Sequence, residues 1–476
     1  MPDMRAGIEE TLPLTVSEMI EIAKKHDARV IDVVLTEAEL RTGLPRGEIL
    51  TQVMAEYAHN LSAMEIGVKN GESILLGTVA SQLAAQEGPR CFSDAFLDDA
   101  LLYTLGAQVG NHCIGLRPCA GTGDSCPYAG FIKAMMLHGF DERTVAETAA
   151  LFLKIGGLFR VGKVTTGCNM EGFGAGAACI AAATVSIGGG TPEQMEKAMV
   201  LALSPTIGVP CTPRVLVPAL CTTHVGGAVL IGIYAGKLCM RVDMDVNVPF
   251  DVMLTMAAEA HVESGRAIVP TVVKYMEPFF MSKPAVEALV SEDVRAADAI
   301  KMQKTLIKAG EKAKALARGT ESILNTLGDA VVGGSSQAVG SPTNAARICH
   351  ELAVGEIKKV RVELYPELFA RRSINIPGIL MGAVYGASTA DYEMYGKSVQ
   401  MVRDAGIEVE VIEISEPSVQ RITIFTDKMT CSVDTLNRGG GRLVLRAAAP
   451  SLKAALEAAQ RIGIVLVEEA GIESNE

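Results

Sequence analysis

The 476-residue chain contains no tryptophan and only 4% aromatic residues, so a core built on large rings is excluded. Its 47 glycines point instead to small side chains and closely approaching backbones. No apolar run approaches the roughly 20 residues that a bilayer span needs; the most apolar segment, VGGAVLIGIYAG at 225–236, falls well short. There is no block of basic charge either. The net charge of −12, from 43 Lys and Arg against 55 Asp and Glu, is spread along the chain and argues against nucleic-acid binding. The opening MPDMRAGIEETLPLTV has neither the basic nor the apolar part of a secretory signal, so a soluble cytoplasmic protein is expected. Eleven cysteines are an odd number in such a chain. A disulfide framework is therefore not expected, which leaves metal binding, catalysis or burial as small apolar side chains.

The length suits two or three domains. Residues 15–70 carry helical periodicity, with the serine that opens SEMIEIAKKH as a cap candidate and apolar residues at i, i+3 and i+4 up to Gly71. Helices continue to about residue 285, interrupted by the glycine- and cysteine-rich loop NHCIGLRPCAGTGDSCPYAG and by the turn GGGTP. An all-helical domain is thus expected over 1–285, and a charged, amphipathic connecting helix over 286–330. At 331 the character changes. VVGGSSQAVGSPTN reads as a loop and is followed by a helix, and then KKVRVELYP, EVEVIEI, RITIFTD and GRLVLRA alternate with period two. A smaller α/β sandwich domain is expected over 331–476, with SLKAALEAAQRIG as its last helix.

Three cysteines draw the chemistry together: Cys168 in TTGCNMEG, and Cys211 and Cys221 in GVPCTPRVLVPALC. Three thiolates with a fourth position open suit an iron–sulfur cluster that keeps one accessible iron. Zinc is the rival metal, since Cys211, Cys221 and His224 form C-x9-C-x2-H and Cys168 would complete a tetrahedron. The bland alternative is burial, which is the reading for Cys91, Cys179, Cys239, Cys349 and Cys431 in their apolar or strand-like contexts. Cys113, Cys119 and Cys126 form C-x5-C-x6-C in the glycine-rich loop, as a site wall, an extra ligand or buried thiols. His112, His224 and Lys163 are the acid–base candidates beside these cysteines. The candidate substrate contacts are Cys119, Gly121, Thr122, Asp124, Ser125, Asn169 and Arg214. Ser335 and Ser336 in the second domain join them, with Ser341, Thr343 and Asn344 as further loop hydroxyls and amides, against a plain turn.

These stretches resemble the iron–sulfur-dependent L-serine dehydratase family. LTVSEMIEIAKKHDARVIDVVLTEAE and HNLSAMEIGVKNGE are similar to the opening of that family's α domain. RPCAGTGDSCPYAG sits where the family has a PTAG-type loop, and GCNMEGFGAGAACIAAATVSIGGGTPEQ looks like its cysteine-bearing helix and following turn. ALSPTIGVPCTPRVLVPALCTTHVGGA occupies the place of the segment with the last two cluster cysteines. KKVRVELYPELFARRSINIPGILMGA and the segments after it follow the order of the family's β domain, here placed after the α domain. The resemblance implies that Cys168, Cys211 and Cys221 hold a [4Fe-4S] cluster. It also implies that the chain converts L-serine to pyruvate and ammonia, that its exposed iron is oxygen-sensitive, and that it forms a homo-oligomer, by resemblance a dimer. Two departures bear on the substrate. The family's serine-rich loop ending in His-Thr reads GGSSQAVGSPTNAAR here, and its Arg-Gly-His-Gly-Thr-Asp motif reads ARRSINIPG, both without histidine. Elimination of hydrogen sulfide from L-cysteine, and a non-catalytic ligand-binding or redox-sensing role, therefore stand as alternatives.

Overall fold

The computed structural model describes residues 2–73, 75–116, 125–162, 173–208, 220–276, 279, 284–318, 336–389, 391–439, 441–464 and 466–467. The chain divides into two compact units, Met1–Ala309 and Gly310–Glu476. Among the described residues the first unit is helical. Its helices are α1 (Pro2–Thr11), α2 (Val16–Lys25), α3 (Val30–Thr42), α4 (Arg46–Lys69), α5 (Val79–Ala84), α6 (Ala95–Ile114), α7 (Ser125–Leu137) and α8 (Glu142–Gly162), then α9 (Gly176–Ile187), α10 (Pro192–Leu203), α11 (Leu220–Cys239), α12 (Phe250–Ala267), α13 (Val269–Met276) and α14 (Pro284–Glu287), and α15 (Glu292–Arg318) runs across the boundary into the second unit. No described helix is long and apolar enough to cross a membrane.

Local chemistry sets several of these boundaries. The cap of α2 is Thr15, two residues before the serine expected in that role; Thr15 and Glu18 exchange side-chain and backbone hydrogen bonds in a capping box. Thr191 and Gln194 do the same at α10, two residues after Gly189, whose φ of 70° turns the chain within the GGG run.

Glycine decides how the helices pack. A Cβ on Gly67 of α4 would lie 2.0 Å from the Gly106 carbonyl oxygen of α6, and one on Gly110 would lie 2.1 Å from the Ala63 oxygen. These helices meet backbone to backbone, which is how a chain poor in aromatics still fills its interior. On α11, Gly232 approaches the Ala177 oxygen of α9 in the same manner. Some of the few rings pack together: Tyr128 stacks on Phe152 at 4.8 Å, and Phe131 meets Phe152 edge-on.

The second unit holds α16 (Ser336–Leu352), β1 (Ile357–Leu364), α17 (Pro366–Ala370), α18 (Arg372–Tyr385), α19 (Tyr392–Asp404), β2 (Glu408–Glu413), β3 (Val419–Thr426), β4 (Thr430–Asn437), β5 (Leu443–Ala449) and α20 (Leu452–Arg461). The sheet order is β2-β1-β3-β4-β5, with β1 and β2 parallel and the other neighbours antiparallel. Val360, Val362 and Leu364 of β1 alternate inward onto the helices and are fully buried. The intervening residues form cross-strand ion pairs on the other face, Arg361–Glu410 at 2.8 Å and Arg421–Glu363 at 3.0 Å among them.

Two expectations are corrected here. The segment 336–344 is the first half of α16, with Pro342 inside it, and not a loop. Val339, Ser341, Thr343 and Ala345 are buried there, so tertiary burial overrides the local turn signals. Strand β4 was not among the expected strands: its inward positions Cys431, Val433 and Thr435 are buried, yet TCSVDTLN is too polar to announce a strand. Of the cysteines read as buried, Cys179, Cys239, Cys349 and Cys431 are so, whereas Cys91 is exposed.

Candidate active site

Three helix starts meet in the first unit. Helix α7 begins at Ser125, α9 is entered through a π-type turn at 173–175, and α11 begins at Leu220. A Cβ on Gly176 of α9 would stand 2.9 Å from Pro127 of α7 and 3.1 Å from Ala228 of α11. The Phe173 ring lies 5.2 Å from that of His224 and also faces Gly227. Each of these helices follows directly in sequence on one of the stretches singled out above, 117–124, 163–172 and 209–219. Those stretches carry Cys119, Gly121, Thr122, Asp124, Lys163, Cys168, Asn169, Cys211 and Arg214, which lie outside the described residues, as does Ser335.

The described candidates have definite surroundings. Cys221, in the first turn of α11, is 4% exposed and shares a small apolar cluster with Cys126, Met64, Leu105 and Val225. Ser125 is fully buried at the first position of α7. His224 is half-buried against Phe173. Ser336 is the first residue of α16 in the second unit.

His112, in the last turn of α6, belongs to a buried polar chain. The Cys126 S–H donates to the Gln108 carbonyl oxygen at 3.0 Å, and the Gln108 amide nitrogen is 3.1 Å from His112 Nε2. His112 Nδ1 lies 2.5 Å from Ser73 Oγ, which accepts from the amides of Leu75 and Leu76 at 3.1 Å each. With the amide oxygen taken by Cys126, Gln108 gives an N–H to His112 Nε2, which leaves the neutral ring's own hydrogen on Nδ1, toward Ser73. Gln108 and Ser73 were not among the sequence candidates. Gln108 stands four residues before His112 on one face of α6, a spacing legible in the sequence; the contact with Ser73 has no local signal. Cys113 takes a separate path: it is exposed, and its thiol donates to the Glu72 carbonyl at 3.4 Å.

Beside α11 opens a cavity of about 200 Å³, lined by Cys91, Phe92, Asp98, Leu102, Thr222 and Thr223 among others. It shares the first turns of α11 with Cys221 and His224. Its lining is largely apolar, and Asp98 is occupied by three backbone amides, so the polar chain through His112 is the better endowed of the two neighbourhoods for proton chemistry.

Among the described residues no group of three His, Cys, Asp or Glu side chains stands ready to hold a metal. Of the three expected cluster thiols only Cys221 is among the described residues, buried at the N-terminal end of the described part of α11 in the cluster that also holds Cys126. Two further helix starts of the same polarity lie alongside it. Cys168 is five residues from Phe173, a tether of at most ~18 Å, and Cys211 is nine from Leu220, at most ~32 Å.

No family model matches the chain. It is similar to a probable L-serine dehydratase, alpha chain, of Bacillus subtilis (strain 168), with 28% identity over 211 residues, covering 42% of this chain and 69% of the relative. This is a distant likeness, and it supports a serine-dehydratase-like lyase.

Proposed function

We propose that the chain is a [4Fe-4S]-dependent lyase that carries out β-elimination on a small polar amino acid, with L-serine, converted to pyruvate and ammonia, as the first substrate to test. The observation that carries this reading is the meeting of the starts of α7, α9 and α11, each next in sequence to a cysteine-bearing stretch. The likeness to a probable L-serine dehydratase alpha chain supports it. Cys168, Cys211 and Cys221 would hold the cluster, which when bound supplies an accessible iron as Lewis acid for a hydroxyl and a carboxylate oxygen. The helix starts offer N–H groups and positive dipole ends to an anionic substrate. Lys163 and Arg214 would pair with its carboxylate, while Thr122, Asp124, Ser125 and Asn169 would orient its polar groups. His112, aligned by Gln108 and Ser73, would hold or move a proton at its ring nitrogens.

The test is iron and acid-labile sulfide content after anaerobic purification, followed by anaerobic assay of pyruvate and ammonia. About four of each per chain, lost in Cys168→Ser, with product from L-serine, is the expected result. Absence of iron after anaerobic reconstitution would overturn it, and about one zinc without sulfide would replace the cluster by a structural metal. The absence of histidine from GGSSQAVGSPTNAAR and ARRSINIPG favours a second reading, elimination of hydrogen sulfide from L-cysteine. Pyruvate from serine alone would exclude that alternative. A cluster spectrum that responds to amino acids without turnover would point to a ligand-binding protein instead.

A further inference from the structure

Inside the second unit two thiols face each other. Cys349 lies in the second half of α16 and Cys431 at an inward position of β4, and both are fully buried. Their sulfurs are 3.7 Å apart, although the residues stand 82 positions apart in the chain. The elements on either side hold them there. Cys431 is paired with Ile424 across the β3–β4 ladder, and Ala345, Ala346 and Ile348 pack α16 into the core that also holds Ile422 and Ile424. The small alanines let the helix approach the sheet closely enough for two short side chains to touch.

Neither sulfur gains much by remaining a thiol. Cys349 Sγ reaches the carbonyl oxygens of Ile422 and Cys431 at 3.5 and 3.6 Å, and Cys431 Sγ reaches those of Cys349 and Ile424 at 3.5 and 3.7 Å. These are long contacts from a weak donor, and each thiol has one hydrogen to share between its acceptors. Joining the sulfurs therefore gives up little. It also needs little movement: a disulfide brings them to about 2.0 Å, within reach of rotation about the two Cα–Cβ bonds. Among the described residues no Lys, Arg or His hydrogen-bonds to either sulfur, and burial pushes the Cys349 thiol up. The attacking thiolate is scarce in the closed unit, so exchange proceeds through states in which α16 lifts from the sheet.

We propose that Cys349 and Cys431 are a reversible thiol–disulfide clamp, closed by exchange with a small disulfide such as oxidised glutathione, that ties α16 to β4. One protein thiol, as its thiolate, attacks a sulfur of the small disulfide, whose S–S bond breaks and releases one small thiol. The second protein thiol then attacks the protein sulfur of the mixed disulfide and releases the other. Two protein S–H bonds are lost and two form on the small thiols, so the protein pair is oxidised and the small disulfide reduced. The link closes a long loop and restricts the unfolded chain. It also fixes the polar contacts that α16 makes nearer its start, where Ser341 accepts from Gln420 at 2.7 Å and Asn344 donates to the Gly441 oxygen at 3.0 Å.

The full chain is incubated at several ratios of reduced to oxidised glutathione, quenched in acid, alkylated after denaturation and read by peptide mass. The expected result is a Cys349–Cys431 cross-link that forms more slowly than the glutathione adduct of the exposed Cys91 and is reversed by dithiothreitol. The calorimetric transition of the second unit rises by roughly 10 °C in the oxidised chain, and in Cys431→Ala the same treatment leaves it in place. The comparison of oxidised with reduced parent needs no variant, so it decides the matter even where Cys431→Ala does not fold. Two free thiols recovered while Cys91 is fully modified, glutathione adducts on Cys349 and Cys431 in place of the link, or a link that leaves the transition unmoved or lowers it would each overturn the proposal.

Discussion

Asp98 orders an irregular stretch from within a helix. Its carboxylate, on α6, accepts N–H bonds from Arg90, Cys91 and Phe92 at 2.8, 2.9 and 3.2 Å. Burial pushes its pKa up, but those three amides and the Arg90 guanidinium outweigh burial and hold the carboxyl below the usual range. A carboxyl depressed in the folded state stabilises the protein above its unfolded pKa of about 3.9, and that contribution disappears as pH falls through the folded value. Asp98→Asn is therefore expected to lose about 1–3 kcal/mol at neutral pH, with the gap from the parent closing in acid. Urea titrations at several pH values check this, and a gap that stays constant down to acid would refute it. At this scale His112 was legible as a candidate because it sits beside the cysteines, and its partner Gln108 was available from its spacing. Ser73, 39 positions away in the chain, was not.

The seams between helices are decided by where glycine meets backbone. A methyl group on Gly110 collides with the Ala63 carbonyl, whereas one on Gly265 of α12 meets nothing within 4 Å. Gly110→Ala should thus cost about 1–3 kcal/mol or more by overpacking. Gly265→Ala should gain about 0.5–1 kcal/mol, since the helix interior favours alanine. Denaturant midpoints at unchanged slope report both values, and equal shifts for the two variants would contradict the packing described here. Most helices were legible from periodicity and caps, as with Thr191 and Gln194. The first half of α16 was not: SSQAVGSPTN carries every local signal of a turn, and only the burial of Val339, Ser341 and Thr343 makes it a helix. Strand β4 was obscured because cysteine and threonine occupy inward positions where valine or isoleucine would have shown the alternation.

Each unit carries its own core. One apolar cluster, centred on Val360, Val362, Ile422 and Ile424, draws only on the second unit, and the others draw only on the first. Among the described residues each cluster stays within one unit, so thermal unfolding should show two calorimetric transitions and not one. Ile424→Ala, about 2–5 kcal/mol in a filled core, should lower one transition and leave the other in place. A common shift of both would show that the units unfold as one body.

Composition, periodicity and residue type by themselves determined that this chain is a helical unit followed by a small α/β unit, with small side chains inside. These are properties that add up along the chain or repeat within a few residues, so they are readable without contacts. The tertiary structure alone decided that the starts of α7, α9 and α11 converge and that Cys126 is tied through Gln108 to His112 and Ser73. Each of these depends on close approach between backbones far apart in sequence, set by glycines whose role is invisible until a second helix is in contact.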